Sequence, residues 1–185
     1  PVGNALPVAD STPVAAATSA VLTSRSIVED DRALPSDDRR ILLVVEDDDT
    51  FAGILRDLAR EMGFRSLVAG TAQDALDLAH QFMPSAIVLD VGLPDQSGLS
   101  VLDRLKRDVR TRHIPIHIVS ADDYTETALS LGAVGYMLKP VQRDQLVEVL
   151  RTLEAKLAQD VRRILIVEDN EVQREAVAKL LTSHD

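Results

Sequence analysis

Asp90 closes the apolar run Ala86-Ile87-Val88-Leu89 and is followed by Val91-Gly92-Leu93-Pro94. A lone carboxylate at such a place is an ordinary turn residue. Three other apolar runs of similar length also end on groups that could do chemistry: one on Glu46-Asp47, one on Ser120 and one on Lys139. Three carboxylates brought together would repel one another and push one pKa up unless a cation balanced them. Oxygen ligands without Cys or His suit Mg2+, which prefers octahedral geometry and keeps several waters. A divalent ion and Lys139 would neutralise the oxygens of a phosphoryl group, and the Ser120 hydroxyl would donate a hydrogen bond to it. Asp90 is then the group left to act as nucleophile, forming an aspartyl phosphate.

That chemistry requires distant segments to meet, and the hydrophobic pattern says how. From Arg40 onward strands and helices alternate. Ile41–Val45 reads as a strand, followed by Phe51, Ile54, Leu55, Leu58 and Met62 at helical spacing with Gly63 as the stop. A short strand at Ser66–Ala69 precedes a helix capped at Gly70-Thr71 and broken by Pro84. The same pattern predicts a strand over Ala86–Asp90, a helix over Leu99–Val109 and a strand over Ile114–Ser120. It ends with a weaker helix over Asp122–Leu131, a fifth strand over Val134–Leu138 and a fifth helix over Arg143–Ala158. Strands that are apolar along their whole length and joined through helices imply a parallel sheet covered on both faces. Five such units fit a flavodoxin-like (βα)5 doubly wound sheet of order 2-1-3-4-5, in which ligands bind beyond the carboxyl ends of the strands. First and third strands are then neighbours, and Glu46, Asp47 and Asp90 share one shallow cleft.

One repeat stands out. Arg40-Ile41-Leu42-Leu43-Val44-Val45-Glu46-Asp47-Asp48 recurs as Arg163-Ile164-Leu165-Ile166-Val167-Glu168-Asp169-Asn170, and 122 residues separate Glu46 from Glu168. That is the length of one five-unit domain, so a second copy is expected to begin near residue 160 and to stop after its first strand and helix. The organisation expected is a linker at 1–39, partly disordered, a domain at 40–159 and a truncated copy at 160–185. The absence of an initiator Met and the helical pattern running into Asp185 suggest a piece of something longer.

Of the 185 residues, 45% are hydrophobic and 27% charged, a globular balance. With 30 acidic against 20 basic residues, the net charge of −10 argues against a nucleic-acid surface. There is no cysteine, which excludes disulfides and thiolate metal sites. No run approaches the ~18 apolar residues of a membrane span, so no membrane contact is expected and the localisation read is cytoplasmic.

Residues 40–159 resemble a response-regulator receiver domain, the CheY-like family of two-component phosphorelay signalling. The resemblance rests on Glu46-Asp47, on Asp90 in Leu89-Asp90-Val91-Gly92-Leu93-Pro94 with Gly98 beyond it, on Ser120-Ala121 and on Lys139-Pro140. It implies Asp90 as phosphoacceptor, Asp47 as direct Mg2+ ligand with Glu46 acting through water, and the Gly92 backbone carbonyl completing the metal shell. It also implies Ser120 as the switch hydroxyl, Tyr136 as the aromatic switch and a cis peptide before Pro140. The expected donor is a phosphohistidine on a histidine kinase, in cis or in trans. Tandem receivers behind a linker resemble the C-terminal part of a hybrid sensor histidine kinase, which makes the adjacent second receiver a partner. The fifth helix, carrying Leu146, Val149, Leu150, Leu153 and Leu157, is expected either to transmit the change to the second copy or to form a homodimer contact.

Blander readings stand beside these. Asp48, Asp49 and Thr50 serve as a helix N-terminus, where acids are favoured. Ser120 could be a helix cap, Tyr136 a half-buried strand aromatic and Lys139 a solvated loop charge. His80, His113, His117 and His184 read as ordinary, and Arg104, Lys106, Arg107, Arg110 and Arg112 as a solvated face or, alternatively, a kinase-docking surface. As a whole, the domain could instead be a scaffold or nucleotide-regulated interaction module that never carries phosphate. A metal-dependent hydrolase would need a cap domain, for which the short Val91–Gly98 loop leaves no room.

Overall fold

The computed structural model describes residues 28–34, 39–157 and 166–182. Five strands, β1 (Ile41–Val45), β2 (Arg65–Ala69), β3 (Ala86–Asp90), β4 (Ile116–Ser120) and β5 (Gly135–Leu138), form one sheet. All pairings are parallel and the order is β2-β1-β3-β4-β5. The helices between them are α1 (Asp49–Glu61), α2 (Ala72–Phe82), α3 (Gly98–Arg107) and α4 (Thr125–Ser130), with α5 (Arg143–Leu157) after β5 and α6 (Glu171–Thr182) further on. This is the doubly wound, flavodoxin-like arrangement expected from the alternation.

Side chains alternate across a strand, so each run supplies both cores. Leu43, Val45, Ile87 and Leu89 pack with the apolar faces of α2 and α3, whereas Leu42, Val44 and Val88 pack with those of α1 and α5. That double burial explains why the runs show no polar alternation. It also fixes the register: Val45 stands beside Leu89 and Ala69, which brings Glu46 and Asp90 out at the same end of the sheet.

Local chemistry sets the boundaries. Asp48 accepts from the amides of Thr50 and Phe51 to start α1, and Thr71 accepts from Asp74 to start α2. Gly63, at φ +83°, lets the chain turn after α1. The third helix stops at Arg107, two residues earlier than expected, because Asp108 is extended and spends its carboxylate on His80 (2.8 Å) and the Arg110 amide (2.8 Å). The fourth strand starts at Ile116 because Ile114 closes a turn onto Thr111 and Pro115 has no amide to donate. The fourth helix is only six residues long and has no side-chain cap. The first residues of the expected helix are diverted, with Asp123 holding Thr125 and the Asp122 carbonyl bound to Tyr136.

Two further differences and one agreement, at His117, concern charge. Lys106 is not part of a solvated face: its Nζ donates to the carbonyls of Ile114 (2.7 Å) and Arg112 (3.2 Å), and burial lowers its pKa. His117, inside β4, is buried with its Nδ1 3.0 Å from the Ile118 carbonyl oxygen, and burial lowers its pKa. Within the expected linker, residues 28–34 pack on the outer edge of β2, through contacts described below.

In the second repeat, Asn170 accepts from the amides of Val172 and Gln173 to start α6, as Asp48 does for α1. Ile166–Glu168 are not in a strand. Residues 163–165 of the strand expected there, residues 1–27 and 35–38 of the linker, and His184 lie outside the described residues.

Candidate functional site

Each carboxylate owes its place to a strand end. Glu46 follows β1, its amide held by the Ala69 carbonyl at 2.9 Å, and its side chain is 2% exposed. Asp90 is the last residue of β3 and 6% exposed, whereas Asp47 stands at the open rim. One oxygen from each of the three lies within 4.8 Å of the others. Lys139 enters from the end of β5, directed there by its own amide, which donates to the Ser120 carbonyl at 2.7 Å. The Lys139-Pro140 peptide is cis.

The ammonium group chooses Glu46 first. Lys139 Nζ donates to both Glu46 oxygens, at 2.9 and 2.8 Å, and stands 3.5 Å from Asp90 Oδ1. It also lies 4.7 Å from the centre of the Phe51 ring, a cation–π contact. One cation thus faces three carboxylates. Burial, partly offset by Lys139 and reinforced by Asp90, raises the Glu46 pKa to about 7. Burial also raises that of Asp90, against the charge of Lys139 and the amides of Val91 and Gly92. The donor set is all oxygen, with excess negative charge crowded at the strand ends, and it fits a small divalent ion that demands hard ligands.

The loop from Val91 to Ser97 is held closely. The Gly98 amide donates to the Val91 carbonyl at 2.9 Å, and a Cβ at Gly98 would lie only 1.9 Å from the Asp90 carbonyl oxygen. A Cβ at Gly92 would lie 3.3 Å from Asp90 Oδ2. Asp95, which the sequence reading did not single out, accepts from the amides of Ala72 (2.8 Å) and Gln73 (3.1 Å) and so ties this loop to the start of α2. Its signal in the sequence is a turn acid after Pro94, indistinguishable from a solvated one.

Ser120 is buried at the end of β4, where its Oγ accepts from the Asp122 amide at 3.3 Å. Tyr136 on β5 is half-buried against the core. Its hydroxyl donates to the Asp122 carbonyl and accepts from the Tyr124 amide at 3.0 Å. Ser120 and Tyr136 thus hold the amide and the carbonyl of one residue, Asp122. Removing that hydroxyl leaves two backbone groups without their partner. Tyr136→Phe is expected to cost about 1 kcal/mol and to speed exchange of the Tyr124 amide, measured by thermal melts and hydrogen exchange. An unchanged Tyr124 amide would show that the hydroxyl does not hold the loop.

The fold and the site define an α/β doubly wound domain with clustered acids and one lysine at its strand ends. The match to known sequences narrows this further. The model of the response regulator receiver domain matches residues 42–151, and the chain belongs to that family. It is 32% identical over 114 residues to the polar-differentiation response regulator DivK of Brucella ovis, covering 60% of this chain and 93% of that protein. Among solved structures, it matches a sensor protein from a Polaromonas species at 31% identity and TM-score 0.58, over 65% of this chain and 99% of that one. A CheY-like receiver domain from Methylobacillus flagellatus matches at 26% identity and TM-score 0.56, over 62% and 98%. The chain therefore carries a receiver domain of two-component signalling, and receiver domains interact with histidine kinases or phosphotransfer partners. No helix among the described residues is long and apolar enough to cross a membrane.

Proposed function

We propose that Asp90 accepts a phosphoryl group from a phosphohistidine, with Mg2+ held by Asp47, Asp90 and the Gly92 carbonyl and by Glu46 through water. The observation that carries this reading is the meeting of three carboxylates and Lys139 at the strand ends. An Asp90 oxygen attacks phosphorus, the P–N bond breaks, and its electron pair leaves with the imidazole, which retains or takes up a proton. Mg2+, when bound, neutralises phosphoryl oxygens and orients them for in-line transfer. Lys139 supplies a second positive charge. Its hold on Glu46 keeps the ammonium beside Asp90 until a phosphoryl group competes for it. Ser120 donates to the new phosphoryl oxygens, which withdraws its Oγ from the Asp122 amide. Tyr136 is bonded to the same loop, so the change reaches the surface formed by α4, β5 and α5.

On this reading residues 40–159 are the receiver and residues 160–185 begin a second one. The parent is a hybrid sensor histidine kinase in which the phosphohistidine lies in cis or in trans and the second receiver is the adjacent partner. The likeness to a sensor protein and the capped helix α6 support that placement. The test is incubation with Mg2+ and acetyl phosphate, read by intact mass. One added phosphoryl group, mapped to Asp90, is expected. No modification by acetyl phosphate, together with no response to beryllofluoride, would favour a non-phosphorylated scaffold.

A further inference from the structure

The outer edge of β2 is covered by a segment that precedes the family match. Strand edges expose alternate amides and carbonyls, and here those of Ser66 and Val68 face away from β1. The Asp31 carboxylate accepts from the Ser66 amide at 2.8 Å, and the Asp31 amide donates to the Ser66 carbonyl at 2.9 Å. Two residues along, Asp30 accepts from the Val68 amide at 2.8 Å, and the Arg32 guanidinium donates to the Val68 carbonyl at 2.7 Å. Four edge groups are therefore paired by three consecutive residues, largely through side chains and not as a sixth strand.

The helix beside that edge adds charge complementarity. Arg60 pairs with Asp31 at 2.6 Å, and Arg56 donates to the Glu29 carbonyl at 3.0 Å. Arg65 donates to the carbonyls of Asp31 (3.0 Å) and Leu34 (3.2 Å). Burial works against the Asp31 carboxylate, yet its bonds to Arg60 and Ser66 outweigh burial and hold its pKa below the ordinary value. The fit also carries a cost. Arg65 Nε and Ser66 Oγ are buried without a hydrogen-bond partner. Buried polar atoms left unpaired cost free energy, so the packing around this edge is not fully satisfied.

We propose that the β2 edge, with Arg60 and Arg65, is a recognition site for an Asp-Asp-Arg strip, and that residues 28–34 occupy it as a detachable strap. The strap fixes where the upstream chain leaves the receiver, and it opens without unfolding the sheet.

The test uses the full chain and residue-resolved hydrogen exchange. In Asp30→Ala/Asp31→Ala, the Ser66 and Val68 amides are expected to exchange at least about tenfold faster than in the wild type. The central Val88 amide should stay protected, which separates strap loss from unfolding. A synthetic peptide spanning residues 26–36 should restore protection to this variant, and the same peptide with both aspartates replaced by alanine should not. Arg60→Gln, which leaves the strap sequence intact, should weaken protection of Ser66 more than that of Val68. Unchanged exchange at Ser66 and Val68 in the double variant would overturn the proposal, as would equal rescue by the two peptides. Loss of Val88 protection in parallel with Ser66 in both variants would also overturn it, because strap and sheet would then be one cooperative unit.

Discussion

Replacing Asp90 with Asn is expected to abolish phosphorylation and, in metal-free solution, to raise thermal stability. The first effect follows from losing the nucleophilic oxyanion. The second follows from charge. Burial raises the Asp90 pKa and Asp47 adds repulsion, with Lys139 only partly offsetting both. A carboxyl whose folded pKa lies above its unfolded value, about 3.9 for Asp, costs stability as pH rises between the two, because the folded state then holds the proton more tightly. The penalty is complete above the folded pKa and absent below the unfolded one. Asparagine removes it, so the melting temperature at neutral pH should increase by a few degrees, the scale of about 1 kcal/mol in a domain of this size. At a pH near 3 the two proteins should melt alike. The variant also relieves Glu46 of a neighbouring charge, and its pKa should fall from about 7. Calorimetry against pH and carboxyl NMR check these points. Phosphorylation that persists in the variant would remove Asp90 from the role proposed for it.

Gly98→Ala should be the most disruptive single methyl group in the domain. The added carbon would sit 1.9 Å from the Asp90 carbonyl oxygen and 2.9 Å from both the Asp90 carbonyl carbon and Val91 Cα. All three are backbone atoms, so no side chain can swing aside. The start of α3 must move away from the end of β3, breaking the bond from the Gly98 amide to Val91. A loss of about 3 kcal/mol or more in urea denaturation is expected. Response to beryllofluoride should be lost as well, although Asp90 itself is intact. An unchanged denaturation midpoint would mean that α3 does not begin against the β3 carbonyl.

Much of this was legible in residue order. Apolar runs at strand length, separated by capped helical repeats, specify a parallel sheet. In such a sheet the groups that end each strand must emerge together, which is why Glu46, Asp47, Asp90, Ser120 and Lys139 could be named from their positions. The register of β1 with β3 brings the three carboxylates together at one end of the sheet. Other features left no readable period. Asp30, Asp31 and Arg32 look like any charged linker, because their bonds run from side chains to a distant strand edge and need no hydrophobic pattern. Lys106 reads as surface charge because its stem and its carbonyl partners are set by the turn at Arg112–Ile114. The grip of Lys139 on Glu46 was also hidden. Counting charges predicts that a lysine will answer the acids, whereas depth in the cleft decides which acid it reaches.

The bridge from Asp95 to the first amides of α2 joins the loop after β3 to a helix that precedes β3 in the chain. The acid that follows Pro94 caps a neighbouring helix and not its own, so the loop after Asp90 and the start of α2 are tied by two hydrogen bonds. A displacement of that loop would therefore be felt at the start of α2, which packs on the face of the sheet opposite α5.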